Sequence, residues 1–175
     1  MRNLSTFTQG TLQEILLRNS LIDYLTEQNI DFRILPSYKT YSYKLNKYAD
    51  IDLLLITPVA IYAIETKSFR SHIRGTYNEK MWKGNSFNHI THIYNPVFQN
   101  KEHIRSLNTI LIRNGFARLP IKNVVCIQNC CKNKTDCKEV INESQLLSKV
   151  VLDNKYDEKI IDVKNATKIL LRFAL

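Results

Sequence analysis

Asp52, Glu65 and Lys67 are the only charged residues in the stretch Ile51–Lys67, which otherwise consists of two apolar runs meeting at Thr57-Pro58. Two carboxylates and an ammonium in such company suit one kind of chemistry. Asp and Glu oxygens hold Mg²⁺, or alternatively Mn²⁺, and leave positions for water and phosphate oxygens. A fixed cation beside them can orient an attacking water or stabilise charge developing on the phosphoryl oxygens. The reaction so served is metal-dependent hydrolysis of a phosphodiester.

The elements that must position these groups are short. Each apolar run is rich in Leu, Ile and Val and is bounded by the turn signal at Pro58, which predicts two buried strands joined as a hairpin. A symmetric register about a Thr57–Ala60 turn places Asp52 opposite Glu65, and the strand period of two puts Lys67 on the same face. Like charges directly opposite destabilise a ladder, so a cation is expected between them. Pro58 suits unprimed turns, whereas tight hairpins favour primed ones, and a one-residue slip would scatter the set. The plain alternative is a solvated strand end with Lys67 neutralising Glu65 as a surface ion pair.

The wider pattern is more specific than an E-x-K tripeptide. Ile51-Asp52, then Glu65-Thr66-Lys67, Ile73-Arg74-Gly75, Trp82 and Asn95-Pro96-Val97-Phe98-Gln99-Asn100 occur in this order. Together they resemble the NERD (nuclease-related) domain of the PD-(D/E)XK nuclease superfamily over about residues 10–127. The resemblance implies an α/β fold with a restriction-endonuclease-like core, a mixed central sheet flanked by helices. It also implies Asp52 and Glu65 as metal ligands with the Thr66 carbonyl a further one, Lys67 as catalytic, and Gln99 at the site. The chain departs from the family pattern at Ala60, where Gly is usual, so the turn is where the geometry is in question. Gly10 to Glu14 resembles the family's N-terminal helix motif, whose Glu points toward the metal. The same Thr11-Leu12-Gln13-Glu14 also fits a capping box, with Thr11 starting a helix and Glu14 bonding back to it.

Asn95-Pro96 reads as a helix start and Asn114-Gly115 as a stop, predicting a helix over Pro96–Arg113 with Val97, Ile104, Leu107 and Leu111 inside. Gln99 and His103 lie one turn apart on another face. Residues 11–28 read as a helix burying Leu12, Ile15, Leu16, Ile22 and Leu25. Strands are expected from Asp31 to about Arg74 and again at Val124–Ile127. A Lys- and Asn-rich loop is expected at Lys132–Lys138, with short helices at Glu143–Val151 and Ala166–Phe173.

The chain of 175 residues, 44% hydrophobic and 23% charged, is expected to fold as one domain over residues 1–175, since it has no repeat or linker. No run is long and apolar enough to span a membrane, and the start shows no signal-peptide pattern, so a cytoplasmic location is expected. The net charge of +9 favours a polyanionic partner such as nucleic acid, DNA over RNA by family analogy alone. Arg70, Arg74, Lys80 and Lys83, interleaved with Phe69, Tyr77 and Trp82, are the candidate contacts, with a solvated basic surface as the plain alternative and Trp82 read as packing. The patch Lys39–Lys47, threaded with tyrosines, reads as ordinary strand rather than a base-stacking surface. Cys126, Cys130, Cys131 and Cys137 lack paired C-x-x-C spacing and read as free thiols, with zinc or redox sensing as the lesser alternative. A homodimer is left open. The competing functional class is a catalytically weak nucleic-acid-binding or interaction module on the same fold.

Overall fold

The computed structural model describes residues 4–42, 46–68, 72–86, 89–116, 119–128 and 132–175. Its elements run α1 (Leu4–Glu27), β1 (Arg33–Ser42), β2 (Lys47–Ile56), β3 (Ile61–Ser68), β4 (His72–Gly75), β5 (Met81–Ser86), β6 (His89–Tyr94), α2 (Pro96–Arg113), β7 (Ile121–Gln128), β8 (Lys132–Thr135), β9 (Val140–Ile141), α3 (Glu143–Tyr156) and α4 (Val163–Arg172).

Five strands form a central sheet in the order β1-β2-β3-β7-β9. β1, β2 and β3 are antiparallel, whereas β3, β7 and β9 run parallel, so the sheet is mixed. Leu53, Leu55, Tyr62, Ile64, Val124 and Cys126 point to one face and pack against Leu17, Leu21 and Leu25 of α1 and Leu146 and Val150 of α3. Leu54, Ile56, Ile61 and Ala63 point to the other, against Leu107 and Leu111 of α2 and Val163, Ala166 and Leu170 of α4. This is the expected α/β architecture with a mixed central sheet flanked by helices. Tyr62 donates its hydroxyl proton to Asp153 at 2.8 Å, and Lys122 bridges Asp153 and Asp157, which ties α3 to β3 and β7.

The hairpin forms in the expected symmetric register. Ile56 faces Ile61 and Leu53 faces Ile64, and the turn closes with the Thr57 amide donating to the Ala60 carbonyl at 3.0 Å. The Thr57 hydroxyl and the Ala60 amide add a side-chain link at 3.3 Å. Ala60 is not among the residues with positive φ, so the turn does not need a glycine there. α2 has the expected bounds, with Asn95 accepting from the Val97 and Phe98 amides at its start and Gly115 at φ +84° beyond its end.

Other expectations are corrected. α1 begins at Leu4, a full turn and more before Thr11, so Thr11 cannot start the helix and the capping box is absent. The sheet packs against the i, i+4 stripe Leu17, Leu21, Leu25, leaving Leu12, Ile15 and Leu16 exposed. The expected loop at Lys132–Lys138 holds β8, which pairs in parallel with β4. β4 and β8 belong to a second, four-stranded sheet in the order β6-β5-β4-β8. Its inner face carries Ile73, Trp82 and Ile93, which pack with Val97, Val125 and Ile127. Trp82 is fully buried, as expected of a packing residue, and its indole N–H donates to the Thr76 carbonyl at 2.9 Å. The ring lies flat against Gly75, where an added Cβ would fall 2.2 Å from two indole carbons.

The patch around Lys39–Lys47 falls at the end of β1 and the start of β2, with 43–45 outside the described residues: Tyr38 is buried, Tyr41 and Tyr48 pack their rings at 4.8 Å, and Lys39 pairs with Asp50. Cys126 and Cys137 are buried free thiols in different cores, Cys126 pushed up to about 12 by burial; Cys130 and Cys131 lie outside the described residues.

Candidate active site

The ladder between β2 and β3 stops at Leu53 and Ile64. One step further, where the register brings Asp52 and Glu65 together, side chains replace the backbone pairing. Asp52 Oδ2 accepts the Thr66 amide proton at 2.7 Å and the Thr66 hydroxyl proton at 2.9 Å. Both bonds are charge-assisted, which shortens them and fixes the carboxylate. Opposite Asp52 on the other side lies Ser37 of β1, a non-glycine residue at φ +47° where the β1–β2 pairing skips one pair. Such backbone strain persists only where the surroundings enforce it.

Glu65 is 2% exposed, and Lys67, 26% exposed, forms an ion pair with its Oε1. Its Oε2 is buried with no hydrogen-bond partner. Burial, and then the charge of Asp52, push the Glu65 carboxyl up to about 7, against the pull of Lys67. A buried orphan carboxylate oxygen is costly, and a cation taken from solvent would remove that cost. The donor set suits a hard divalent ion that keeps part of its water shell: two carboxylates that feel each other's charge, one of them with an orphaned oxygen. Among the described residues no group of three His, Cys, Asp or Glu side chains assembles into a cage.

Two further groups feel the pair. From α1, the Glu14 carboxyl is raised by burial and by the charges of Asp52 and Asp50, and lowered by Lys67, which puts it within electrostatic reach of the site. From α2, His103 is half-buried with Nε2 unpartnered; burial lowers its proton affinity while Asp50 and Asp52 raise it. His103 follows Gln99 by one helical turn, and the half-buried Gln99 sits in the first turn of α2.

What fixes α2 over these strands is Asn100. Its Nδ2 donates across two strands, to the Ala63 carbonyl at 2.7 Å, the Asn123 side-chain oxygen at 2.8 Å and the Val124 carbonyl at 3.2 Å. Asn123 in turn donates to the Val97 carbonyl at 3.0 Å. These bonds lock the first turns of α2, including Gln99, to β3 two residues before Glu65.

A family model described as nuclease-related domain, NERD, matches residues 10–128, more than half of the chain. The chain belongs to the NERD family. The NERD match spans α1 from Gly10 through β7 and so contains Glu14, Asp52, Glu65, Thr66, Lys67 and Gln99, while β8, β9, α3 and α4 lie beyond it. No curated protein and no solved structure matches the chain.

The remaining predicted residues fall elsewhere. Arg74 and Lys83 face each other across β4 and β5, exposed on the outer face of the second sheet. Lys80 is exposed in the turn before β5, off that row of pairs, and Arg70 lies outside the described residues. His103 and Asn100 were not read as site residues. Asn100 closes the N-P-x-x-Q-N string, and a polar residue on the side of a helix that otherwise packs was the available signal. His103 was visible as the i+4 neighbour of Gln99.

Proposed function

We propose that this NERD protein is a metal-dependent nuclease that hydrolyses phosphodiester bonds in nucleic acid, with DNA as its substrate. The observation that carries the reading is the Glu65 carboxyl, buried with one oxygen orphaned and under the charge of Asp52, in a chain of a nuclease-related family. Asp52 and Glu65 would hold Mg²⁺ or Mn²⁺, with the Thr66 carbonyl as a further oxygen. The bound ion supplies Lewis-acid polarisation of the phosphoryl group and a more acidic water.

The chain's own groups do the rest. Glu65 must release its proton to serve as a ligand, so the site is armed as pH rises through about 7. Asp52 is held in place and aimed by the Thr66 amide and hydroxyl, which both donate to its Oδ2. Lys67, anchored on Glu65, positions an ammonium beside the reacting phosphate, where it orients the attacking water and stabilises developing charge. Glu14 and Gln99 flank the pair from α1 and α2 as polar contacts to water or substrate.

The test is cleavage of supercoiled plasmid, linear duplex and single-stranded DNA with Mg²⁺, Mn²⁺ or EDTA, comparing the natural protein with Glu65→Ala. Cutting that requires metal and disappears in the variant is the expected result. Salt-sensitive DNA binding with no cutting under any metal would overturn the enzyme and leave a binding module.

A further inference from the structure

The outer face of the second sheet carries a row of basic residues that no motif assembles. Strand pairing sets His92 of β6 beside Lys83 of β5, Lys83 beside Arg74 of β4, and Arg74 beside Lys134 of β8. Directly paired residues share a face, and all four are exposed. The opposite face of the same strands is the packed one, with Ile73, Trp82 and Ile93. Among the described residues no salt bridge ties Arg74, Lys83 or Lys134 to a carboxylate. The three line a cleft of about 340 Å³ together with His72, Gly84 and Ile90.

Like charges facing each other on adjacent strands weaken a sheet, and a polyanion laid along the row would relieve that repulsion. The spacing fits one. Strands lie about 4.8 Å apart, so a row across four of them is roughly 14 Å long. One strand of duplex DNA carries a phosphate about every 3.4 Å along its axis, so that length spans roughly four phosphates. The row holds no Phe, Tyr or Trp and no carboxylate, which matches recognition dominated by charge. β4 follows β3 in the chain, so the sheet bearing the row continues from the strand bearing Glu65 and Lys67.

We infer that this row is a track for the sugar–phosphate backbone of the nucleic acid flanking the cut, gripping it without regard to sequence. The inference deepens the nuclease reading and rests on it. It replaces Lys80 by His92 and Lys134 in the set of contacts.

The experiment measures binding of the full chain to fluorescent duplex DNA by anisotropy, in EDTA, over a range of salt concentrations. The triple variant Arg74→Ala, Lys83→Ala, Lys134→Ala is compared with a charge-matched control, Lys155→Ala, Lys159→Ala, Lys164→Ala, whose exposed lysines lie on α3, α4 and the segment between them. The row variant should flatten the dependence of log affinity on log salt by about 2–3, and the control by less than about 0.5. An unchanged slope in the row variant, or equal losses in both, would overturn the track. Lys83→Glu alone, with its melting temperature recorded, covers the case in which the triple variant misfolds: a folded Lys83→Glu protein should lose affinity about tenfold or more, and natural affinity would count against the track. Plasmid cleavage by the natural protein is read separately. A flattened slope without Glu65-dependent cutting keeps the track and sinks the nuclease, and the reverse result does the opposite.

Discussion

In the five-stranded sheet, Glu65 and Lys67 sit in a largely closed interior and pair with each other, whereas in the four-stranded sheet Arg74, Lys83, His92 and Lys134 stand side by side in solvent. The same kinds of charge do different work in the two places. Withdrawn from water, a carboxyl changes its proton affinity and leaves an oxygen unsatisfied, so its position matters to fractions of an ångström. Exposed, each cation adds a small screened attraction, and only their number and spacing count. The proposed nuclease reading puts chemistry on the first sheet and the proposed track puts grip on the second, and single substitutions should separate the two.

The largest contrast is expected between two lysines. Lys67→Ala should lower cleavage by roughly 10²–10³-fold at saturating metal, since one preorganised group acting on developing charge is worth that much. Lys83→Ala should cost only a few-fold and lose even that at low salt; equal effects on the rate constants would erase the distinction. A thermal shift on adding Mg²⁺ should survive in the Lys67 variant and vanish in Glu65→Ala.

Next in size is the response to pH. With Glu65 near 7, the rate at limiting metal should rise about tenfold per pH unit below that value and level off above it. Raising the metal concentration should move the midpoint down, because binding expels the proton. A profile flat from pH 5 to about 8 would remove Glu65 from the ligand set.

Gly75→Ala addresses the second sheet. The new methyl group meets the indole of Trp82, which the rest of the core holds in place, so the loss should be about 3 kcal/mol in chemical denaturation. DNA affinity should fall with it, since β4 carries Arg74 next to Gly75.

The smallest effect has the opposite sign. The folded Glu65 carboxyl is raised from 4.5 to about 7, so its proton stabilises the fold fully below about pH 4.5 and that contribution is lost as pH rises through 7. Glu65→Gln should therefore be more stable than the natural protein above pH 7, by on the order of 1–2 kcal/mol in urea titrations, and no more stable near pH 4. A destabilised variant at high pH would mean that the Lys67 ion pair outweighs the burial.

The first sheet was far more legible in the sequence than the second. Leu53–Ile64 carries its own turn, and the hydrophobic runs on either side are local, so the register of the hairpin followed from counting outward from Thr57-Pro58. α2 announced itself through Asn95-Pro96 and Asn114-Gly115. α1 was legible as a helix over 11–28 but not in its start or its buried face: Leu12, Ile15, Leu16, Leu17, Leu21, Ile22 and Leu25 cover more than one face, and only the sheet decides that 17, 21 and 25 go inward. β8 is a run of Lys, Asn and Thr with little preference for strand, and a parallel neighbour more than fifty positions away makes it one. For the same reason the cation row was invisible, because positions 74, 83, 92 and 134 become neighbours only through three separate strand pairings.

Asp52 ties the end of the hairpin through bonds to Thr66 with the same carboxylate whose charge acts on Glu65. The two duties can be inherited separately. An asparagine at this position would keep an acceptor for the Thr66 amide and discard the charge, whereas an alanine would fray β2 from β3 as well. Lineages of this fold that abandon catalysis should therefore drift through Asp→Asn, a step that leaves the architecture silent about the loss.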